Sequence, residues 1–236
     1  MLEICAANLQ SAIAAQRAGA HRIELCAALD VGGLTPSAGL IRTVCRQLTI
    51  PANVLIRPRE GHFCYSDAEL AIMLDDIRFC REAGANGVVI GALRPDFQLD
   101  LEKMAALVEA AAGLDITCHR AFDFVPDPLE ALDDLIALGI SRVLSSGQAA
   151  SAFEGQFLLK KMVEHAAGRI AVMPGAGIHA GNITELAQTT GAREFHLSGR
   201  KKVEPVFSGK KIPGLETEYW ESDENAIREV LGALRG

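Results

Sequence analysis

Aromatic residues and long apolar runs are both scarce in this chain of 236 residues. Aromatics make up 5% of the sequence although 49% of it is hydrophobic, so we expect an aliphatic interior of the kind that parallel β-sheets prefer. No apolar stretch has the length of a transmembrane helix, and the first residues lack a basic region followed by an apolar run. These absences predict a cytoplasmic protein with no membrane partner.

Excess positive charge and metal-binding cysteine motifs are also absent. The net charge of −7 and the pI near 5.4 argue against non-specific binding to nucleic acid. The six cysteines include no Cys-x-x-Cys pair and belong to no Cys/His set with the spacing of a structural zinc site. In a reducing compartment we expect them to be free thiols rather than disulfides.

Short strand-like runs alternate with amphipathic helical stretches along the chain. The predicted strands are Leu2–Cys5, Arg22–Cys26, Asn53–Arg57, Gly87–Ile90, Asp115–His119, Arg142–Ser145, Ile170–Met173 and Glu194–Leu197. The helical patterns between them include Asn8–Ala18, Asp67–Ala83, Leu99–Ala112, Pro128–Leu138 and Leu158–Ala167. Helix start signals agree, since Ser66 with Glu69 forms a capping box and Asn182 with Glu185 a close relative of one.

Eight such β-then-α units in this length predict an α/β fold, a (β/α)8 or TIM barrel that spans residues 1–236 as a single domain. An open, doubly wound sheet is the alternative. It would usually have fewer strands and a glycine-rich first turn, and residues 5–8 contain no glycine.

Residues 199–221 interrupt this pattern before the last helix. The segment contains the only tryptophan, Trp220, and the lysines Lys201, Lys202, Lys210 and Lys211. The simplest interpretation is a long irregular loop, either flexible or ordered by a partner. The alternative is an interface between copies of this chain, a homo-oligomer for which we favour a dimer.

Charged residues occupy one face of several predicted strands. Side chains alternate along a strand, so in the first strand Leu2 and Ile4 face one way while Glu3 and Cys5 face the other. The apolar face must meet the surrounding helices, which leaves the polar face inside the barrel. The charged residues placed there are Glu3, Arg22, Glu24, Arg57, His119 and His196.

Position along the strand separates structural from functional charges. Glu3 and Arg22 begin their strands, so we expect a structural salt bridge low in the barrel. Glu24, Arg57 and His119 end theirs, at the carboxyl-terminal mouth where barrel enzymes keep their active sites.

The loops at that mouth suggest acid–base chemistry on an anion. His119 is a candidate general acid or base, with Glu24 or Asp123 as its catalytic partner. Arg57 and Arg59 have the spacing to grip a carboxylate or phosphate, although one of them can simply fix the loop. Barrels often bind phosphate between the loops after strands seven and eight, although tight turns explain the glycines there equally well. The further candidate ligand-binding residues are Arg120, Ser146, Gly175, Gly177, His196 and Ser198.

Two cysteines, Cys5 and Cys26, end neighbouring predicted strands and face inward. Adjacent strands lie about 4.8 Å apart, so the two thiolates can hold a soft monovalent ion such as Cu(I) between them. The alternative is that both are small thiols that fill the barrel. Cys45 and Cys80 fall within helical patterns and are expected in the core.

Several long blocks of the sequence resemble the CutC family. They include LEICAANLQSAIAAQRAGAHRIELCAAL, VLIRPREGHFCYSDAEL, TCHRAFDFVPDPLEALDDLIALGISRVLSSGQ and GRIAVMPGAGI, and the resemblance runs from Leu2 to about Arg200. It implies a TIM barrel, a cytoplasmic location and a role in copper homeostasis. It also implies Cu(I) binding through cysteines that correspond to Cys5 and Cys26.

Two hypotheses about function therefore stand. The resemblance favours a copper homeostasis protein whose partner is Cu(I). The residues themselves favour an enzyme of unknown reaction that acts on a small phosphorylated or carboxylated metabolite, because a two-thiol copper site needs none of the charges gathered at the mouth.

Overall fold

The computed structural model describes residues 1–204 and 217–235, in which strands and helices alternate. The strands are β1 Leu2–Ala6, β2 Arg22–Leu25, β3 Ala52–Leu55, β4 Gly87–Ile90, β5 Asp115–Cys118, β6 Arg142–Ser145, β7 Ala171–Pro174 and β8 Phe195–Leu197. The helices are α1 Leu9–Ala18, α2 Ala38–Gln47, α3 Asp67–Ala83, α4 Leu101–Ala110, α5 Pro128–Ala137, α6 Gln156–Ala166, α7 Ile183–Thr190 and α8 Glu224–Ala233. None of the helices in the described residues combines the length and the apolar character needed to cross a bilayer.

The eight strands form one parallel sheet in the order β7-β6-β5-β4-β3-β2-β1-β8. A bridge between Gly175 and His196, just past β7 and within β8, brings the two ends of the sheet together at the mouth. The (β/α)8 barrel predicted from the sequence is therefore confirmed. Every predicted strand matches an observed one to within one or two residues.

Of the two helix caps predicted from the sequence, the structure contains one and lacks the other. The capping box of Ser66 and Glu69 is present in full at the start of α3. The capping predicted at Asn182 is wrong, since its side chain makes no cap bond to α7. The Asn182 amide instead accepts from the His179 N–H and donates to the Gly177 carbonyl, which fixes the loop between β7 and α7.

A network of ion pairs lies at the amino-terminal end of the barrel. Arg22 pairs with Glu3 and with Glu194, the latter at 2.9 Å between Nη2 and Oε2. Arg142 pairs with Glu194 and, at 2.7 Å, with Asp115. The predicted salt bridge of Glu3 and Arg22 is confirmed and belongs to this larger network.

The segment predicted to be irregular contains regular structure. Arg200–Val203 (β9) and Tyr219–Ser222 (β10) pair as an antiparallel ribbon, which corrects the loop interpretation for those residues. The Arg200 guanidinium carbon lies 4.6 Å from the centre of the Trp220 ring. Lys210 and Lys211 lie outside the described residues.

Candidate functional site

A cavity of about 300 Å³ opens at the carboxyl ends of the strands. The residues that line it are Cys5, Glu24, Leu29, Gly32, Leu55, Arg57, Phe63, His119, Arg120, Leu144, Ala176, Gly177, Ile178, His196, Leu197 and Ser198. The strand register explains this convergence, since Glu24 lies opposite Cys5, and His196 lies opposite Glu3. Parallel strands deliver these side chains to the same end of the barrel.

The two candidate metal-binding thiols touch. Cys5 Sγ lies 3.4 Å from Cys26 Sγ and also 3.4 Å from Glu24 Oε1, to which it donates. Cys5 is 5% exposed, at the edge of the cavity, whereas Cys26 is fully enclosed. The hydrogen bond with Cys26, together with burial and the nearby Glu24 carboxylate, raises the pKa of the Cys5 thiol well above its usual value. Cys5 is therefore a protonated thiol in the metal-free protein.

Glu24 and His196 extend the thiol pair into a mixed donor set. One ligand atom from each of Cys5, Glu24 and His196 can be chosen so that all lie within 4.8 Å of one another. His196 turns Nδ1 toward Glu3 Oε1 at 2.8 Å, which leaves Nε2 for the cavity side. Burial opposes protonation of His196, but the carboxylates of Glu24 and Glu3 outweigh it and raise the pKa of the imidazole. Burial also raises the pKa of Glu24.

His119 is a neutral hydrogen-bond donor. Its Nδ1 accepts the Ala121 N–H at 3.1 Å, so the ring proton lies on Nε2. Burial, aided by the neighbouring Arg57 charge, lowers the pKa of the imidazole to about 3. Gly91 makes room for the ring, because a Cβ there would lie 2.4 Å from His119 Cε1.

The guanidinium of Arg57 is committed to the backbone. Its Nη1 donates at 2.8 Å to the carbonyls of both Val31 and Gly33, and its Nη2 donates at 2.9 Å to Gly61. These bonds tie the loop after β2 to the loop after β3. These bonds use three of the five N–H groups of the guanidinium, and Nε has no partner among the described residues.

Arg59 does not line the cavity with Arg57. It pairs with Glu69 of α3, and its guanidinium donates to the carbonyls of His62 at 2.7 Å and Cys64 at 2.9 Å. The structure therefore places the two arginines expected to act together in different surroundings. The Arg59 side chain holds the loop between β3 and α3. This is the structural role that the sequence analysis allowed for either Arg57 or Arg59.

Asp123 makes no hydrogen bond to His119 in the described residues and instead organises the neighbouring loop. Its carboxylate accepts from the Ser145 hydroxyl at 2.6 Å, from the Ser146 N–H and hydroxyl, and from Arg120 Nε at 2.8 Å. Arg120 also donates to the Ser146 hydroxyl at 2.9 Å and lines the cavity. Asp123 and Ser146 thus position Arg120 and fix the loop after β6.

The loop after β7 holds a strained backbone beside the cavity. Ala176 has φ +80°, a conformation that is rare for residues with a side chain, and Gly177 follows with φ +69°. Gly175 allows β7 to approach its neighbours closely, because a Cβ there would lie 2.5 Å from Leu144. None of the backbone hydrogen bonds in the described residues uses the N–H of Gly177, Ile178 or Ser198.

Sequence reasoning missed the residues that shape the site without charge. Phe63 packs its ring 4.9 Å from that of His119 and under the Arg57 guanidinium at 5.0 Å. Gly32 lines the cavity, and Gly91 makes room for the His119 ring. A glycine directly after a predicted strand, as Gly91 is, was the signal that could have found one of them.

Comparison with known proteins agrees with the resemblance seen in the sequence. The CutC family model matches residues 1–201. A family protein CutC of Pasteurella multocida is 46% identical over 235 residues, covering 97% of this chain and 96% of the relative. Another, from Xylella fastidiosa, is also 46% identical and covers 99% of this chain and 88% of the relative.

Solved structures also support membership of the family. A CutC protein of Streptococcus agalactiae assigned to copper homeostasis superposes with a TM-score of 0.81 at 37% identity, covering 84% of this chain and 98% of that one. An aldolase, QR15, superposes with a TM-score of 0.63 at 11% identity over 83% of this chain and 89% of its own, and shares the fold alone. By sequence and by structure, the chain belongs to the CutC family.

Proposed function

We propose that this protein serves copper homeostasis by binding Cu(I) between Cys5 and Cys26. The observation that carries the proposal is the 3.4 Å separation of the two sulfur atoms inside the barrel. Thiolates are soft ligands that select Cu(I). With metal–sulfur bonds of about 2.3 Å, sulfurs at this separation can share one ion in a bent arrangement that leaves room for a third ligand.

His196 is the best-supported third ligand. Its Nδ1 is bonded to the Glu3 carboxylate at 2.8 Å. A histidine that binds a metal usually gives its other ring nitrogen to a carboxylate in this way, which fixes the ring and strengthens the ligand. The CutC protein of Streptococcus agalactiae is assigned to copper homeostasis, which favours copper over other soft ions.

Proton release makes this binding depend on pH. Cys5 and His196 both have raised pKa values, so each must lose a proton before it can bind the ion. Affinity for Cu(I) should therefore increase as the pH rises through neutrality. The positive charge of the ion then offsets the negative charge that the thiolates bring into the barrel.

An anaerobic titration against a colorimetric Cu(I) chelator tests the proposal. We expect the wild-type protein to withdraw one equivalent of Cu(I), and the Cys5→Ser/Cys26→Ser variant to withdraw none. Cys45→Ser/Cys64→Ser is the matched control, because both of those thiols are only half-buried and neither lines the cavity. Equal binding by the wild type and the Cys5/Cys26 variant would end the proposal.

A second function, an enzyme for a small anionic metabolite, is favoured by a different observation. Glu24 Oε2, Arg57 Nε and His119 Nε2 are buried without a hydrogen-bond partner in the described residues, and all three residues line one cavity. The two thiols need neither Arg57 nor His119. In this function His119 donates to a substrate oxygen and Glu24 moves a proton, while Arg57 and Arg120 supply positive charge.

A thermal-shift screen of carboxylated and phosphorylated metabolites tests the second function. We expect at least one of them to stabilise the copper-free protein, and the response to disappear in His119→Asn. The asparagine oxygen can keep the bond from the Ala121 N–H while the Nε2 donor is lost. A response that persists in His119→Asn would remove His119 from the site.

We also propose that the protein acts in the cytoplasm as a dimer. The exposed Tyr219 and Trp220 on β10 support an interface between two copies, and the acidic net charge of −7 disfavours nucleic acid as a partner. Light scattering measures the mass directly, and a clean monomer would rule out the dimer.

A further inference from the structure

One wall of the mouth cavity carries polar groups without a partner in the described part of the chain. These are Glu24 Oε2, Arg57 Nε and His119 Nε2, which belong to residues that are each 5% exposed. Native proteins leave few buried polar atoms without a partner. Three around one cavity indicate a ligand that carries both hydrogen-bond acceptors and a donor.

The opposite wall offers backbone N–H groups. Gly177, Ile178 and Ser198 line the cavity, and their N–H groups take part in no backbone hydrogen bond of the described residues. In the closed order of eight strands, β7 lies four strands away from β3, whose end carries Arg57. The loop after β7 therefore lies across the barrel from Arg57, with His119 after β5 on one side between them and Glu24 of β2 on the other.

The backbone conformation at this wall suits an anion. Ala176 is held at φ +80° and Gly177 at φ +69°. Strained residues of this kind persist where the surrounding structure imposes them, often at ligand sites. Backbone N–H groups in successive turn conformations form concave anion sites, and barrels place phosphate between the loops after strands seven and eight.

The charges around the cavity also favour an anion. Arg57 and Arg120 are both in its lining. The one carboxylate among the lining residues is that of Glu24. Two guanidinium groups against one carboxylate suit an anion, and a cavity of about 300 Å³ admits only a small molecule.

We propose that the cavity binds a small phosphate monoester with its phosphate against the N–H groups of Gly177, Ile178 and Ser198. Its carbon chain carries hydroxyl or carbonyl oxygens across the barrel to the opposite wall. There His119 Nε2 and Arg57 Nε donate to the oxygens, and Glu24 Oε2 accepts from a hydroxyl group. The inference rests on the second function proposed above and narrows its substrates to phosphate monoesters.

Calorimetric titration of the copper-free protein with glycerol 3-phosphate, glycerol and inorganic phosphate tests this assignment. We expect glycerol 3-phosphate to bind more tightly than phosphate, and glycerol to show no binding, because the ester engages both walls at once.

A pair of variants locates the phosphate. Gly177→Asp and Gly177→Asn share one shape, and aspartate and asparagine both tolerate positive φ. Each brings a Cβ about 3.2 Å from Ser151 Cβ, so the added charge is the difference between them. We expect Gly177→Asp to weaken binding of glycerol 3-phosphate at least about tenfold relative to Gly177→Asn. Ser198→Asp with Ser198→Asn repeats the comparison if the first pair does not fold.

The outcomes separate this assignment from the function it rests on. Equal affinities in the Asp and Asn variants would overturn the phosphate position. Binding of the dicarboxylate succinate without binding of glycerol 3-phosphate would overturn the phosphate monoester and leave the anion enzyme standing. Binding of no anion at all would remove both.

Discussion

His119 ends β5 with its ring enclosed between Phe63 and Gly91, and this enclosure fixes both its charge and its tautomer. The Ala121 N–H occupies Nδ1, so the proton lies on Nε2. Burial lowers the pKa to about 3, so the imidazole is neutral throughout the physiological range. A neutral imidazole in the lining of a cavity can polarise a substrate oxygen through a hydrogen bond from Nε2, without transferring a proton.

The depressed pKa of His119 predicts a loss of stability in acid. The unfolded chain takes up a proton near pH 6.5, whereas the folded chain takes it up only near pH 3. Acidification between those values therefore favours the unfolded state by up to about 1.4 kcal/mol per pH unit. His119→Asn removes this penalty, so the free energy of unfolding of wild type should fall relative to the variant at about that rate between about pH 6 and about pH 4.

Urea denaturation at several pH values checks this prediction, with His179→Asn as the control. The Nδ1 of His179 accepts the Gly181 N–H at 3.1 Å in the same local turn, but its side chain is exposed. If His119→Asn and His179→Asn show the same pH dependence, burial is not what holds His119 neutral.

The sequence predicted which residues reach the mouth better than it predicted what they do there. Strand alternation placed Glu24, Arg57 and His119 correctly, because their facing follows from the backbone alone. The role of Arg57 could not be predicted, because its partners are the backbone carbonyls of Val31, Gly33 and Gly61. Every residue type has such a carbonyl, so the sequence does not show which of them will bind an arginine. Loop geometry decides such contacts.

At the scale of the strands, one charged layer links half of the barrel. Arg22 of β2 contacts Glu3 of β1 and Glu194, which precedes β8, and Arg142 of β6 joins Glu194 to Asp115 of β5. Each carboxylate in the layer has a cationic partner. Burial raises the pKa of Glu3, but the bonds from His196 and Arg22 outweigh it and lower the pKa to about 2. The layer therefore stays ionised well into the acid range.

Removal of one member of this layer should destabilise the fold strongly. Arg22→Met leaves Glu3 dependent on His196 alone, and the loss of a partner from a buried ion pair costs about 3 to 5 kcal/mol. Arg78→Met is the control, because the Arg78–Asp75 pair on α3 has side chains that are 60% and 74% exposed and should cost under about 1 kcal/mol.

Chemical denaturation measures both variants. The Glu3→Gln/Arg22→Gln variant should recover part of the loss, since it leaves no unpaired ion between β1 and β2. If Arg22→Met costs no more than Arg78→Met, the layer contributes little to stability.

At the scale of the whole molecule, the fold was predictable because local signals agreed along the chain. Eight strand–helix units favoured a closed parallel barrel over an open sheet, and the resemblance pointed the same way. The ribbon of β9 and β10 could not be predicted in this manner, because Arg200–Val203 is a short, largely exposed strand with no apolar alternation. Its pairing depends on contacts with residues far along the sequence, such as the stacking of Arg200 on Trp220.

At the same scale we expect Glu24 to couple the two proposed ligands. One of its carboxylate oxygens accepts from the Cys5 thiol at 3.4 Å, and the other has no partner among the described residues and belongs to a residue that lines the cavity.

Saturation with Cu(I) at about a hundred times its dissociation constant should raise the melting temperature by about 5 to 10 °C. Glycerol 3-phosphate should give its own shift, and the two together should give less than their sum. This follows because bound Cu(I) would replace the thiol proton that Glu24 accepts, and its charge would attract the Glu24 carboxylate away from the second ligand. Differential scanning calorimetry of the wild type with each ligand and with both measures the coupling, and Cys5→Ser/Cys26→Ser should keep only the phosphate response. Additive shifts in the wild type would mean that no coupling free energy links the two sites. Glu24 would then contribute to only one of them.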